Sequence, residues 1–291
     1  MRRSAVLNDM TYEKFILPPD KKQIKDTAKS TLTQKGVLLR LIFALLSVCI
    51  VYMAVELGEG VAYYSLILLY PPLAELMAFE YGITVLFDIV SILAVAPIFS
   101  GVYRLASLLS AGEDARVSEI FYYYSPKYYG RALVAFSVTA VPVMIFRFCA
   151  GEIFSLVELW VSAVDDEWFA SVMLIIVSFI AGLLILGIAA LLLLPYGRLF
   201  SVFAAVINGE GQPIGVCLRA ALNATREKSG AIYGFRISFV PLILLSLLTV
   251  GMLLIIFTVP YMLISYFYYN AALFGKDPKP AVSTEVTFDE R

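Results

Sequence analysis

Two charged residues lie deep inside long apolar stretches of the sequence. Asp88 belongs to the stretch 83–105, and Arg147 belongs to the stretch 131–150. At a helical rise of about 1.5 Å per residue, each lies about 25 Å from the basic residue near the other end of its stretch. If both stretches cross a bilayer, the matched depth predicts that the two side chains approach each other near the outer surface. Two roles stay open: a structural ion pair that relieves mutual desolvation, or a coupling or substrate site for a small ion or polar solute.

A second group combines aromatic and basic residues between two apolar stretches. We call it the collar, and it consists of Tyr122, Tyr123, Tyr124, Lys127, Tyr128, Tyr129 and Arg131. Tyrosine rings with a polar tip and basic heads on apolar stems suit the headgroup layer of a bilayer. The collar therefore predicts a headgroup-facing anchor, and recognition of lipid headgroups is a further hypothesis.

The residue patterns of common enzyme sites are missing. The chain has no His, no GxxxxGK[ST] phosphate loop, no GxSxG elbow and no HExxH motif. Its three cysteines, Cys49, Cys149 and Cys217, form no CxxC pair and are expected to be small buried apolar residues. We therefore predict that the protein is not an enzyme and that it has no cofactor and no metal site.

The composition is that of a membrane protein. Of the 291 residues, 60% are hydrophobic and 15% are charged, and the mean hydropathy is +0.85. Soluble domains average about 45–50% apolar and about 25% charged residues. The formal net charge of −1 argues against nucleic-acid binding, which needs a basic surface. The bilayer is thus the expected first partner, with membrane or cytoplasmic proteins as further candidates.

Six apolar runs have about the 20 residues that a helix needs to cross a bilayer. They are 37–56, 83–105, 131–150, 171–196, 231–248 and 252–271. The last two share one apolar stretch, in which Thr249 to Gly251 is the expected reversal. Residues 61–79 are apolar as well, but two central prolines and Glu75 favour an interfacial or re-entrant segment over a seventh span.

Charge asymmetry gives the orientation. With six spans and a cytoplasmic N-terminus, the inner segments hold every Lys and Arg except Arg147. Because cytoplasmic loops carry the excess of basic residues, both termini are predicted to be cytoplasmic. The expected domains are a polar segment 1–36 with an amphipathic helix, a membrane domain 37–271, and a polar tail 272–291 that is predicted to be disordered.

An internal threefold pattern accompanies the predicted spans. The exits of the even-numbered spans carry a proline followed 14 or 15 residues later by a glycine: Pro97 and Gly112, Pro195 and Gly209, Pro260 and Gly275. Amphipathic helices precede the odd-numbered spans, with starts near Asp20, Glu113 and Pro213. The expected fold is an all-α bundle of three helical hairpins with three inner-face amphipathic helices. The alternative is that Gly and Pro are simply common near span ends.

Several motifs from Leu192 onward carry a family resemblance. They include Ala220-Ala221, Gly230, Phe235 with Phe239, Leu248-Thr249-Val250-Gly251, and Pro260-Tyr261 before the aromatic exit Phe267-Tyr268. With the block 97–121, these motifs resemble an uncharacterised bacterial family of multipass membrane proteins, the domain of unknown function nine-seven-five. A more distant similarity is to the membrane domain fused to glycerophosphodiester phosphodiesterases.

The resemblance implies a six-pass protein of the bacterial cytoplasmic membrane, and it implies no substrate, cofactor or catalytic residue. Pro241 departs from the family pattern, which has a Trp nearby, and we expect this proline to kink the fifth span. Two functions remain. The first is a non-catalytic scaffold or modulator of membrane partners. The alternative is a transporter of a small solute or lipid, or a lipid-handling protein, with a cavity near Asp88 and Arg147.

Overall fold

Helices account for every regular element that the structure describes. The computed structural model describes residues 20–75, 77–162, 167–249 and 251–274, without the side chains of 74–75, 77–78, 147, 152, 154, 156–162, 167–171, 175, 183, 185–196 and 247. The α-helices are α1 Lys21–Leu32, α2 Val37–Leu69, α3 Met77–Ser110, α4 Pro126–Ser162, α5 Glu167–Asn208, α6 Ile214–Arg226, α7 Ser229–Ile237, α8 Val240–Leu248 and α9 Val259–Leu273. Two 3₁₀ helices, Pro71–Glu75 and Val117–Tyr124, and a π-helical turn, Leu254–Thr258, complete the set.

Five segments of the described residues are long and apolar enough to cross a membrane. They are Val37–Leu69, Phe79–Ser110, Pro126–Gly151, Ser229–Ser246 and Leu254–Leu273. The predicted span 171–196 lies within α5, a helix of 42 residues. Two shorter stretches of α5, Val172–Gly182 and Gly197–Asn208, are apolar, and most of the side chains between them lie outside the described part. The prediction of an all-helical membrane bundle is therefore confirmed at the level of fold class.

Residues 61–75 and 77–79 do not form a segment separate from the neighbouring long helices, so that part of the prediction is wrong. Residues 61–69 are the last two turns of α2, and Met77 already begins α3. The two prolines stand at the start of the 3₁₀ helix Pro71–Glu75 between them. The first turn of a helix has no use for their missing N–H groups, so the prolines reverse the chain without loss of a hydrogen bond.

Three helical hairpins place their open ends at one end of the bundle. Arg40, near the start of α2, donates to the Ala115 carbonyl just after α3, at 3.0 Å. Arg131, near the start of α4, donates to the Val206 carbonyl at the end of α5, at 2.7 Å. In the third hairpin, Phe235 of α7 stacks on Tyr269 near the end of α9, with ring centres 4.3 Å apart. We call this shared end the inner end.

The packed core lies in the inner half of the bundle. Its largest fully buried side chains include Tyr103, Tyr123, Phe203, Phe235 and Tyr268. By contrast, no residue of α2 from position 46 onward is buried, and no described side chain of α4 is buried after Thr139. Apolar side chains on the outer half, such as Leu68 at 84% exposure, therefore face the surroundings of the protein.

Each amphipathic element packs on a helix that enters the inner end. Ile24, Ala28 and Leu32 are the buried face of α1, which packs on α9. The 3₁₀ helix Val117–Tyr124 packs on α3, and α6 packs on α5. At Gly101 of α3 a Cβ atom would lie 2.0 Å from the Ile120 carbonyl oxygen, so only glycine allows this approach. The second amphipathic element, Val117–Tyr124, is a 3₁₀ helix, whereas the sequence predicted an α-helix.

The prolines interrupt their helices in different ways. The fifth predicted span divides into α7 and α8 at Ser238, just before Pro241, so the expected kink is confirmed as a break. The π-helical turn Leu254–Thr258 precedes Pro260, whose missing N–H cannot pair with the carbonyl four residues earlier. The expected reversal after α8 is confirmed: the amides of Thr249 and Gly251 both donate to the Ser246 carbonyl, and Gly251 takes a φ of +77°.

Candidate functional site

The predicted meeting of Asp88 and Arg147 lies partly outside the described residues. Asp88 lies on α3, is half-buried and takes part in an interaction. One turn earlier on the same face, Thr84 donates to the Glu59 carboxylate of α2 at 3.0 Å. The side chain of Arg147 is not described, so its pairing with Asp88 stays a prediction.

The collar does not form a single headgroup-facing surface. Tyr123 and Arg131 are buried, whereas Lys127 and Tyr124 are exposed. The interpretation of all seven residues as a headgroup-facing collar is therefore wrong for its buried members. The polar groups of Tyr123 and Arg131 make hydrogen bonds within the chain.

Glu210, which is not part of the collar, binds two of its tyrosines and lies at the centre of a cluster of polar side chains. Its carboxylate accepts hydrogen bonds from Arg104 at 2.8 Å, Tyr123 at 3.0 Å and Tyr122 at 3.1 Å. Arg104 also contacts Glu119 at 3.4 Å, and its guanidinium lies 3.7 Å from the centre of the Tyr122 ring. Three elements therefore meet through one carboxylate: α3, the 3₁₀ helix Val117–Tyr124 and the loop after α5.

The two tyrosines act here as neutral donors. Burial is the first cause that raises the pKa of Tyr122 and of Tyr123 above the ordinary value near 10. The adjacent Glu210 carboxylate acts in the same direction, because a second negative charge beside it would be unfavourable. Both hydroxyls therefore keep their protons at neutral pH and remain available to Glu210.

Arg131 caps the end of α5. Its guanidinium donates to the carbonyls of Val206 and Gly209, each at 2.7 Å, and also to the Gln212 carbonyl. The last carbonyls of a helix have no partner within that helix and carry partial negative charge. A buried cation at this position satisfies them and is stabilised by them.

Tyr129 and Tyr124 repair the backbone of α3. Pro97 cannot donate to the Leu93 carbonyl four residues earlier, and the Tyr129 hydroxyl donates to that oxygen instead, at 3.0 Å. The Tyr124 hydroxyl donates to the next carbonyl, that of Ala94, at 2.7 Å. These two hydroxyls are thus committed to the α3 backbone.

Two further cations cap helix ends from a neighbouring helix. Lys25 of α1 donates to the Ser238 carbonyl at the break between α7 and α8, at 3.0 Å. Arg198 of α5 donates to the Leu222 carbonyl near the end of α6, at 3.1 Å. Burial, with the nearby Lys21, lowers the pKa of Lys25.

Sequence reasoning missed the role of Glu210, Arg104 and Glu119. One available signal was the position of Glu210, an acid on a predicted surface that is rich in cations. Among the described residues, no group of three or more Cys, Asp or Glu side chains has a geometry that could hold a metal ion. The arrangement as described joins helices, and its donors and acceptors are engaged with one another.

Comparison with known proteins adds no relative. The chain matches no protein-family model, no curated protein and no solved structure. The family resemblance drawn from the motifs therefore stays a prediction.

Proposed function

We propose that the chain is a six-pass protein of the bacterial cytoplasmic membrane with both termini in the cytoplasm. The three hairpins with their open ends at the inner end support an even number of passes. The position of α1 supports it as well, because Thr31 of α1 contacts the Tyr268 hydroxyl of α9 at 2.9 Å. The first and the last described helices therefore lie together.

The test is a pair of fusions to the full chain, with a fluorescent protein that matures only in the cytoplasm. We expect fluorescence from both the N-terminal and the C-terminal fusion. Fluorescence from one of the two alone would mean an odd number of passes and would contradict the proposal.

We further propose that the three hairpins are repeats of one unit. Arg40 reaches the carbonyl of the third residue after Gly112, and Arg131 reaches that of the third residue after Gly209. Three aromatic residues stand nine positions before the repeat glycines: Tyr103, Phe200 and Tyr266. The ring centre of Phe200 lies 6.0 Å from that of Tyr103 and 5.1 Å from that of Tyr266. Corresponding residues thus make corresponding contacts, which supports the repeat.

The function that this arrangement supports best is a non-catalytic scaffold or modulator of membrane partners. The observation that carries the proposal is that ionisable residues at the inner end bind other parts of the same chain. Arg104, Glu210 and Arg131 all join one element to another, as described above. These contacts make the inner half of the bundle a rigid platform. The polar faces of α1 and α6 are exposed on this platform.

A photo-reactive residue tests the scaffold in native membranes. Val216, which is 51% exposed on α6, is the probe position, and Leu68 on the outer half of α2 is the control. We expect a discrete protein adduct from Val216 and lipid adducts from Leu68. The same partner should be lost when Val216→Glu is introduced in an otherwise unlabelled chain. Lipid adducts alone from both positions would contradict the scaffold.

One observation favours the alternative, a transporter of a small polar solute or lipid. The hydrogen bond from Thr84 to Glu59 and the half-buried Asp88 place polar groups on facing sides of α2 and α3 in the loosely packed outer half. Proteoliposome uptake of a panel of small cations and polar solutes would distinguish the two functions. Uptake that Asp88→Asn abolishes and Glu56→Gln leaves intact would favour transport.

A further inference from the structure

Among the side chains that the structure describes, six polar atoms are buried without a hydrogen-bond partner, and all six belong to α3 or α9. Within the described residues they are Ser100 Oγ and Tyr103 Oη of α3, and Ser265 Oγ, Tyr269 Oη, Asn270 Nδ2 and Asn270 Oδ1 of α9. None of these five residues is more than 2% exposed. Native proteins pair nearly all of their buried polar groups with protein or with ordered water. Buried polar groups that lack a partner within the described residues are therefore concentrated on α3 and α9.

Tyr103 and Asn270 define the centre of this polar region. The carboxamides of Asn270 and of Asn208 lie beside the Tyr103 hydroxyl, although none of them makes a hydrogen bond of good geometry with it. Each of α3, α5 and α9 thus contributes one polar side chain at the inner end. Together they offer hydroxyl and amide donors as well as two carbonyl acceptors.

The side chains around this polar region determine which kind of ligand it can hold. Tyr103 packs edge-on against Phe203, with ring centres 5.4 Å apart, and Phe200 lies close to the same ring. The neighbouring cation Arg104 is engaged with Glu210 and Glu119. An uncharged ligand that both donates and accepts hydrogen bonds fits these surroundings. An ion would lose its hydration there and would find no opposite charge to replace it.

We propose that α3, α5 and α9 enclose an internal water site, in which one or more ordered water molecules bridge Tyr103, Asn208 and Asn270. A buried water needs two to four polar partners, and these three side chains supply them. The site holds the three hairpins together through hydrogen bonds that any of them would lose by moving away.

Radiolytic hydroxyl-radical footprinting of the purified full chain tests the site, because bound water generates radicals beside its own neighbours. Tyr123 is the matched control. It is 0% exposed, as Tyr103 is, but its hydroxyl is paired with Glu210 at 3.0 Å. We expect modification of Tyr103 and protection of Tyr123. Protection of both rings, or equal modification of both by opening of the inner half, would overturn the proposal.

A variant identifies the bridging partner. Asn270→Leu keeps the approximate size of the side chain and removes both of its polar groups. We expect Tyr103 modification to be lost in this variant, with Tyr123 still protected as the sign of an intact fold. Unchanged modification of Tyr103 would place the water elsewhere and overturn the assignment. If the variant does not fold, the comparison of Tyr103 with Tyr123 in the unaltered chain still decides.

Discussion

At the scale of single residues, this protein places cations where helices end. Arg131 is 9% exposed, and its charge is held by backbone carbonyls at the end of α5. Carbonyl dipoles are fixed by the helix, so they solvate a cation without any reorganisation of side chains. Lys25 and Arg198 use the same principle at other helix ends, and Arg40 donates to the Ala115 carbonyl in the loop that follows α3.

Arg131→Ala should lower the free energy of unfolding by about 2–3 kcal/mol, since it removes three charge-assisted hydrogen bonds and leaves buried carbonyls unpaired. Arg131→Lys should recover only part of that loss, because an ammonium group cannot span three carbonyls as a planar guanidinium does. Thermal unfolding of the purified protein in detergent gives the comparison. Lys127→Ala, at an exposed position four residues earlier, is the control and should change stability by less than about 0.5 kcal/mol. Equal stability of Arg131→Ala and Lys127→Ala would contradict the capping role.

Tyr123 should make stability fall at high pH. Its pKa is raised in the folded protein, so the folded state keeps the proton to a higher pH than the unfolded chain does. The contribution is complete below the ordinary pKa near 10 and is lost as pH rises above that value. We therefore expect the melting temperature to fall less steeply above pH 10 in Tyr123→Phe than in the unaltered protein. Tyr64→Phe, at a position 73% exposed, should leave the slope unchanged. An unchanged slope in Tyr123→Phe would count against a buried neutral hydroxyl.

The collar shows where sequence reasoning stops at this scale. Seven aromatic and basic residues in one short stretch predict a membrane surface, and of these residues Lys127 and Tyr124 are exposed. Composition does not tell where the tip of each side chain points. Glu210, 79 positions beyond Arg131 in the chain, turns Tyr122 and Tyr123 inward, and only the tertiary fold brings that acid near.

At the scale of elements, α3 tolerates Pro97 because a neighbouring helix supplies the missing donor. The Leu93 carbonyl loses its partner at Pro97 and gains the Tyr129 hydroxyl of α4. Within a bilayer, such a carbonyl has no water to turn to. The bond therefore also fixes the distance between α3 and α4.

A double-mutant cycle tests this repair. Tyr129→Phe alone should cost about 0.6–1 kcal/mol of unfolding free energy, as a typical hydrogen bond in a membrane protein does. In a Pro97→Ala background the restored N–H pairs with the Leu93 carbonyl, so the same Tyr129→Phe change should cost nothing. Pro142→Ala is the matched control background, and there the cost should persist. Strict additivity of Pro97→Ala and Tyr129→Phe in thermal unfolding would contradict the repair.

Hydrophobic periodicity predicted most elements correctly and erred at one kind of place. The hairpin reversal near Gly251, the break at Pro241 and the amphipathic α1 were all readable from local sequence. The segment 61–79 was not, because two adjacent prolines look like an interruption of a span. They begin a reversal between α2 and α3 instead, and the distinction rests on the pairing of those two helices.

At the scale of the whole molecule, the described residues are packed in the inner half, and few of them are buried in the outer half. The amphipathic elements contribute to this difference, since α1, the 3₁₀ helix Val117–Tyr124 and α6 each fill space between spans at the inner end. The helical spacing of apolar residues could predict that these elements exist. It could not predict their partners, because α1 packs on the last helix rather than on the one that follows it.

Ala28→Glu should release α1 from α9. Ala28 is 0% exposed at this contact, so the substitution buries an unpaired charge and should cost more than about 3 kcal/mol or undock the helix. The measurement is tryptic cleavage at the lysines of α1, which should become faster, together with a lower melting temperature. Ser30→Glu, two positions away on the exposed side, should change neither. Equal cleavage rates in both variants would contradict the docking of α1 on α9.

The contact between α1 and α9 also sets an order in time. Thr31 and Tyr268 are 237 positions apart, so the partner of α1 does not exist when α1 leaves the ribosome. At about 5–20 residues per second, that interval is roughly 10–50 s. During this time α1 lacks the helix on which it packs most extensively. The first helix that the structure describes therefore docks on the last described helix only after α9 has been synthesised.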